Sequence, residues 1–453
     1  MLKKIALLLL TAVCPVLSGA KVVTFKYADE VERSASFRVS VNGKAQTVLA
    51  TQEPDFCVFD CDTPVTVSVR WHKPASEVAV RPLSLDYSQS FENGVLTLTM
   101  KPKDRVVVEF DGDTQKPLFI FANEIDRSKP SKKDPDVRYY QAGKVYVEEN
   151  LNLKSGQTMY IEGGAVVCGN IKTSGADNVT LAGSGIFDSR KYIPKAVSFV
   201  KCSNLKISAV TVLNSRSWCT YIAECRGIDI DNYKVIAEYN YWHKRGVEND
   251  ALDLISSSDA RIAHCLTYCH DDAYCLKSGI FGHTGKTADV SYEDCIAWNV
   301  RAGNSIEIGH AVCEDIENVS YRNIYSIHRR GNDKVGYWNS DISIHCTSRG
   351  HVRNVSYENI YLEESDNYVF SIGVFNNGSK LYGPVYTPGG IENVSMKNIF
   401  LLYEPPCGCQ FFGYDEEHDV KNLTIENLFI KGEKVTSLER IGAEVSHATV
   451  KLL

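Results

Sequence analysis

The sequence predicts an all-β chain: a right-handed parallel β-helix (a solenoid) preceded by an N-terminal β-sandwich. Two observations carry this. Residues 21–127 alternate apolar and polar side chains in short runs, the period of half-buried strands. From residue 178 onward a ten-residue pattern returns nine times, the mark of a stacked repeat. With 453 residues, 44% hydrophobic and 23% charged, the chain is long and apolar enough for a large core.

The first twenty residues, "MLKKIALLLLTAVCPVLSGA", place Lys3 and Lys4 before an apolar run and then Ser18-Gly19-Ala20. That layout predicts a cleavable export signal ending at Ala20. The apolar run is too short for a stable membrane anchor, and no other segment is a spanning candidate. Cys14 raises lipid attachment as an alternative, but Val13 is larger than the small residue usual before a lipidated cysteine. The expectation is therefore an exported protein, periplasmic or extracellular.

Residues 21–127 contain "SFRVSV", "VTVSVR", "VLTLTM", "RVVVEF" and "LFIFAN", with "VNGK" as a hairpin turn. Short strands separated by turn-rich pieces predict a sandwich. Residues 128–138, "SKPSKKDPDVR", are polar and proline-bearing and read as the linker, leaving 139–453 for the β-helix.

The repeats begin at 178, 204, 227, 259, 289, 318, 354, 393 and 422, so they are 23 to 39 residues apart. Each holds two β-rich pieces around a polar or small residue, too brief for helices. Coils of this length stack so that each strand pairs with those above and below. The sixth position is Asn232, Asn323, Asn359, Asn398 and Asn427 in five coils; asparagine tolerates left-handed backbone and suits a recurring turn and a side-chain ladder. The seventh, Cys265, Cys295, Ile324, Ile360, Ile399 and Leu428, reads as an inward column. Asn-x-Ser/Thr triplets such as Asn318-Val319-Ser320 then follow from the repeat and are not glycan sites. Fourteen cysteines follow the signal, most at positions that neighbouring coils fill with aliphatics, so they read mainly as small buried hydrophobes. Cys57 with Cys61, and Cys407 with Cys409 under strain, remain possible pairs.

The net charge of −7, without a concentrated basic stretch, argues against a nucleic-acid partner. The chemistry concentrates instead in "ENDALDL" and "HDDAYCLKSG". Aligning "DALDLIS" from Asp250, "DAYCLKS" from Asp272 and "NSIEIGH" from Asn304 puts those three residues on successive coils. Neighbouring strands lie ~4.8 Å apart, so Asp250 and Asp272 become neighbours, with Asp271 beside them. Asp253, Cys275 and Glu307 form a second column. Strict alternation would send Asp250 and Asp272 inward with the leucines, so both must sit at the turn that enters the strand, or a bulge must intervene. An Asp-Asp pair alone is an ordinary solvated turn; a third aspartate in register one coil away favours a built site.

Three clustered carboxyls cannot all ionise cheaply. One keeps its proton near neutrality while others stay anionic, the division of labour glycoside hydrolysis needs. Calcium binding is the alternative for such a cluster. Cys265, Cys269 and His270 invite a zinc reading, but Cys265 belongs to the inward column and the remaining spacing is unlike a zinc site. No phosphate-binding glycine loop and no serine-nucleophile elbow occurs. No cofactor and no metal is expected.

"LNSRSWCTYIAECRGIDIDN", "ENDALDL", "HDDAYCLKSG" and "AGNSIEIG" resemble successive segments of the polygalacturonase-like glycoside hydrolases of family 28, and "MYIEGGAVVCGNI" resembles the start of that family's β-helix. The resemblance covers roughly residues 140–400, and the preceding sandwich is similar to the front domain of dextranase-type family 49 enzymes. It implies inverting hydrolysis, with Asp271 as general acid and Asp250 and Asp272 holding the attacking water. The 21-residue step from Asp250 to Asp271 matches the family's spacing. Two departures bear on substrate. The family's Gly-His-Gly is Gly303-Asn304-Ser305 here, with His310 a nearby substitute, and the Arg-Ile-Lys that grips a galacturonate carboxylate is absent. Arg329, Arg330 and Lys334 in "HRRGNDK" are replacements or a solvated basic loop. Lys277 is expected to partner the carboxylates. Tyr239, Tyr241 and Trp242 in "AEYNYWHKRGVEN", and Trp338, offer flat faces for sugar rings or ordinary packing. Asp253, Lys277, Asn304, Glu307, His310, Tyr241, Trp242, Arg330 and Trp338 are thus the expected substrate contacts.

The expected function is an exported, inverting glycoside hydrolase whose partner is a polysaccharide or oligosaccharide, galacturonan-type pectin first. A neutral α-glucan or galactan is the alternative substrate. A β-helix polysaccharide lyase and a non-catalytic glycan-binding β-helix are the competing classes.

Overall fold

A computed structural model describes residues 21–192, 195–214, 217–239, 249–330, 339–376 and 387–453. Residues 1–20, expected from the sequence to be an export signal, and Tyr241, Trp242, Lys334 and Trp338 lie outside the described residues. Among the described residues, no helix is long and apolar enough to cross a membrane.

The N-terminal strands form two five-stranded sheets whose burial patterns differ. Phe37–Val41 and Val65–Trp71 alternate buried with partly or fully exposed positions, so their sheet has one wetter face. Asp55–Cys61 and Arg105–Phe110 are buried at every position, and Leu118–Glu124 at all but the last. A strand buried on both sides belongs to a middle layer. One face of that sheet packs against the other sheet through Cys57, Phe59, Val106, Val108 and Ile120. Its opposite face, with Phe56, Val58, Val107, Phe119 and Phe121, packs on Ile236, Leu266, Tyr268, Ile296 and Trp298 of the β-helix. The sandwich is thus packed along the flank of the solenoid.

The remaining strands form a parallel β-helix with three strands per coil. One sheet runs through Arg226–Asp231 and Ser258–Ala263, the next through Lys234–Ala237 and Leu266–Cys269, and the third through Thr220–Ala223, Leu252–Ile255 and Tyr274–Ser278. The ten-residue repeat covers the first two sheets. The second carries the sandwich on its outer face, and the third is the strand each repeat unit leaves out.

The asparagine corners are real ladders. Asn232, Asn323, Asn359, Asn398 and Asn427 all have φ between 53° and 58°. Asn359 donates to Asn323 at 3.1 Å, Asn398 to Asn359 at 2.9 Å and Asn427 to Asn398 at 3.1 Å. The asparagines that open the triplets form a second ladder at another corner, Asn354 to Asn318 at 3.1 Å and Asn393 to Asn354 at 3.2 Å. That ladder is why Asn-x-Ser recurs. The inward column also stands: Cys295, Ile324, Ile360, Ile399 and Leu428 pair strand to strand and are all buried. All fourteen cysteines after residue 20 are free thiols, including Cys57 and Cys61 within one strand and Cys407 and Cys409.

Candidate active site on the third sheet

Register sets the site. Leu252 pairs with Tyr274 and Tyr274 with Ile306, so residues two positions earlier, Asp250, Asp272 and Asn304, come to one corner on successive coils. Backbone bonds extend the ladder into the corner: Ala251 N–H donates to Asp272 O at 2.9 Å and Ala273 N–H to Asn304 O at 2.9 Å. Both aspartates precede their strands, at the turn, which resolves the conflict with alternation. Asp253, Cys275, Glu307 and Ser343 form the adjacent outward column.

Lys277 is the hub. Its Nζ lies 3.4 Å from Asp250, 3.2 Å from Asp253 and 3.6 Å from Asp272, all four side chains being nearly inaccessible. It also lies 2.6 Å from Cys275 Sγ and over the Trp218 ring at 4.8 Å. Asp272 Oδ1 accepts from the Asn304 backbone N–H and side-chain amide, both at 2.9 Å, and Asn304 Oδ1 accepts from the Ser340 N–H at 2.8 Å. Asp271 is only partly buried; its Oδ1 accepts the Asp272 N–H at 3.0 Å, and its carbonyl accepts from Asn299 at 2.6 Å. Gly303 packs against it so closely that a Cβ there would fall 2.5 Å from Asp271 Oδ1.

Burial, then Asp253 and Asp271, pushes the Asp250 carboxyl well above the usual range, against the pull of Lys277. Asp253 is pushed up to about 6 by burial, with Lys277 opposing and Asp272 adding to the rise. Burial pulls Lys277 down, but Cys275 and the carboxylates outweigh it and hold its proton firmly. Among the described residues, Asp250 Oδ1 and Asp253 Oδ2 are buried with no hydrogen-bond donor. A proton held on the Asp250–Asp253 pair accounts for both.

One coil on, Glu307 accepts from Ser343 Oγ and lies 3.0 Å from His345 Nδ1 and 3.5 Å from His310 Nδ1. Burial alone would raise Glu307; His345 and His310 overcome it and hold it at about 2. Burial drives His310 down to about 4. Among the described residues, two groups have ligand atoms within 4.8 Å of one another, Glu307 with His310 and His345, and Asp250 with Asp253 and Cys275. Either set could hold a dication, the first through imidazole and carboxylate donors and the second through two carboxylates and a softer thiolate.

The structure therefore brings together Asp250, Asp253, Asp271, Asp272, Lys277 and Asn304, with Glu307 and His310 alongside. Arg330 is engaged by Glu364 at 2.5 Å, and Arg329 turns inward to the Gly303 carbonyl at 3.1 Å. Tyr239 packs on His270, ring centres 5.5 Å apart, with the Arg301 guanidinium over its face. Sequence reasoning missed Trp218, Tyr221, Lys195 and His345. Cys219 N–H donates to Asp250 O at 2.7 Å, so Trp218 occupies the corner position one coil before Asp250. "WCTYIA" extends the alignment of "DALDLI" and "DAYCLK" by one coil and would have placed it. Lys195 Nζ lies 3.6 Å from the Tyr221 ring centre and 5.5 Å from Trp218, and Phe281 is 63% exposed beside them. No pattern marked Lys195.

The family model for glycosyl hydrolases family 28 matches residues 98–447. A probable polygalacturonase of Arabidopsis thaliana is 23% identical over 200 residues, covering 43% of this chain and 39% of that protein. Probable exopolygalacturonase B of Aspergillus fumigatus is 22% identical over 258 residues, 55% of this chain and 54% of that one. The chain thus spans about half the length, or less, of these relatives. Dex49A from Penicillium minioluteum shares the fold along 95% of this chain and 96% of its own, with TM-score 0.63 and 14% identity. A hyperthermoactive exopolygalacturonase from Thermotoga maritima matches 70% of this chain and 82% of its own at TM-score 0.50 and 15% identity. With the family model spanning the solenoid and the last sandwich strands, this chain belongs to glycosyl hydrolases family 28.

Proposed function

We propose that this chain is an exported glycoside hydrolase that cleaves a pectin-type polysaccharide with inversion at the anomeric carbon. The observation that carries the reading is the in-register corner of Asp250 and Asp272 with Asp271 beside them, on one lysine hub. Asp271, the partly exposed member, protonates the departing glycosidic oxygen. Asp272 takes a proton from the attacking water, and Asp250, one strand spacing away, orients that water with its retained proton. The C–O bond to the leaving sugar breaks as water oxygen bonds to the opposite face of the anomeric carbon. A water between donor and base is what inversion requires.

Uronate is favoured over neutral sugar by Lys195, whose ammonium lies beside the Trp218 and Tyr221 rings, Lys277 being already held by three carboxylates. A ring stacked there places its carboxylate against positive charge. The absence of the Arg-Ile-Lys segment supports a second reading, a neutral glycan. Reducing-sugar release from polygalacturonate, against the same polymer with its carboxyls reduced and against an α-glucan and a galactan, tests the choice. Release from polygalacturonate alone is expected; release only from neutral polymers sinks the pectin assignment, and release from none sinks the hydrolase.

A further inference from the structure

The sandwich reaches the corner that holds the aspartates. Between Lys44–Gln46 and Asp55–Cys61, the segment 51–54 carries Gln52 and Glu53 onto the solenoid. Glu53 Oε2 accepts from His270 Nε2 at 2.8 Å and from the Tyr239 N–H at 3.0 Å, and the Gln52 N–H donates to Glu238 Oε1 at 2.7 Å. Glu53 and His270 are both buried. His270 directly precedes Asp271. Its N–H donates at 2.7 Å to Oδ1 of Asn249, which directly precedes Asp250, and the Asn249 amide donates to the Ala237 and Glu238 carbonyls at 3.1 and 3.0 Å.

Glu53, His270 and Asn249 thus form one chain of bonds ending at the residues before both aspartates. The sandwich end of that chain is itself anchored: Lys116 Nζ lies 2.8 Å from Asp55 and donates to Thr51 O at 2.7 Å. Other bonds between the two parts, such as Lys103 with Asp231 at 2.7 Å and Glu109 with His328 at 2.6 Å, attach to other points of the solenoid.

We infer that Glu53 is a positioning residue through which the N-terminal sandwich fixes the backbone under Asp271 and Asp250. This rests on the hydrolase reading above for its kinetic consequence. A side chain set on a second layer holds a reacting group to within about half an ångström, and a shift of about 1 Å costs on the order of a hundredfold in rate. The sandwich on this account is part of the catalytic scaffold, not a separate glycan-holding module.

The test uses the full chain with Glu53→Ala, Glu53→Gln and, as an interface control, Lys103→Ala. Glu53→Ala is expected to lower kcat about 10- to 100-fold with KM within about twofold. Glu53→Gln keeps an oxygen that accepts both bonds and is expected to return kcat to within about threefold of the parent. Lys103→Ala, which loosens the same interface elsewhere, is expected to leave kcat unchanged. A loss confined to KM, an unchanged kcat in Glu53→Ala, or an equal fall in Lys103→Ala overturns the inference. Should Glu53→Ala fail to fold, Glu53→Asp carries the same expectation. A parent protein without turnover would instead defeat the hydrolase reading. Amide exchange at residues 269–273 then decides the clamp, with acceleration expected in Glu53→Ala but not in Lys103→Ala, and equal exchange overturning it.

Discussion

Removing the ammonium at the hub, Lys277→Met, gives the sharpest physical consequence. Three carboxyl groups lie 3.2 to 3.6 Å from one buried cation. Deleting one partner of a buried ion pair costs about 3–5 kcal/mol, because the remaining charge is left uncompensated. Methionine preserves the stem's packing, so the loss is electrostatic. The sign with pH follows from linkage. Without Lys277, Asp250, Asp253 and Asp272 lose their counter-charge, so the folded variant binds a proton that the unfolded chain releases. The loss is then largest at high pH and shrinks by about 1.4 kcal/mol per pH unit, per extra proton held, as pH falls. Urea unfolding at pH 8 and pH 5, followed by tryptophan fluorescence, reads this directly. A loss of about 3–5 kcal/mol at pH 8 that mostly vanishes by pH 5 is expected. A loss of the same size at both pH values, or one below about 1 kcal/mol at pH 8, refutes the hub.

Asp253, buried and raised to about 6, holds a proton in the folded chain that the unfolded chain releases near 3.8, so it makes stability fall as pH rises between those values. Asp253→Asn is expected to flatten that slope, by up to about 1.4 kcal/mol per pH unit, in denaturation series at pH 4 to 6.5. Trp218→Ala removes the flat face one coil before Asp250; KM for an oligogalacturonide should rise about tenfold, a stacking loss of about 1.4 kcal/mol, with kcat within about threefold. Asn359→Ala breaks ladder bonds to Asn323 and Asn398 and puts a Cβ residue without a compensating side chain at φ 57°. It should destabilise by about 2–4 kcal/mol, and Asn359→Gly by about 1 kcal/mol less, in paired thermal melts.

What the sequence displayed was periodicity. Asn232 through Asn427 and the Cys265-to-Leu428 column reported one corner of the coil and the inward position beside it, because each coil repeats them. Phase alone then carried Asp250, Asp272 and Asn304 to one place, and the same phase extends to Trp218. The third strand of each coil stayed hidden in the repeat because its outward face carries the site and varies, from Tyr221 through Asp253 and Cys275 to Glu307. Contacts made once leave no period. Lys195 on Tyr221, His345 on Glu307 and Glu53 on His270 join residues 26, 38 and 217 positions apart with nothing repeated to mark them. The docking face of the sandwich was present in "DFCVFDC" and "LFIFAN" as runs without alternation, which is how a doubly buried strand reads.

In the proposed reaction Asp271 gives its proton to a departing sugar while its neighbours hold the water. Asp271→Asn, assayed on polygalacturonate beside the parent protein, is expected to lose kcat by about a thousandfold or more while an oligogalacturonide still binds within about threefold of the parent affinity. Turnover by Asp271→Asn within about tenfold of the parent would contradict it.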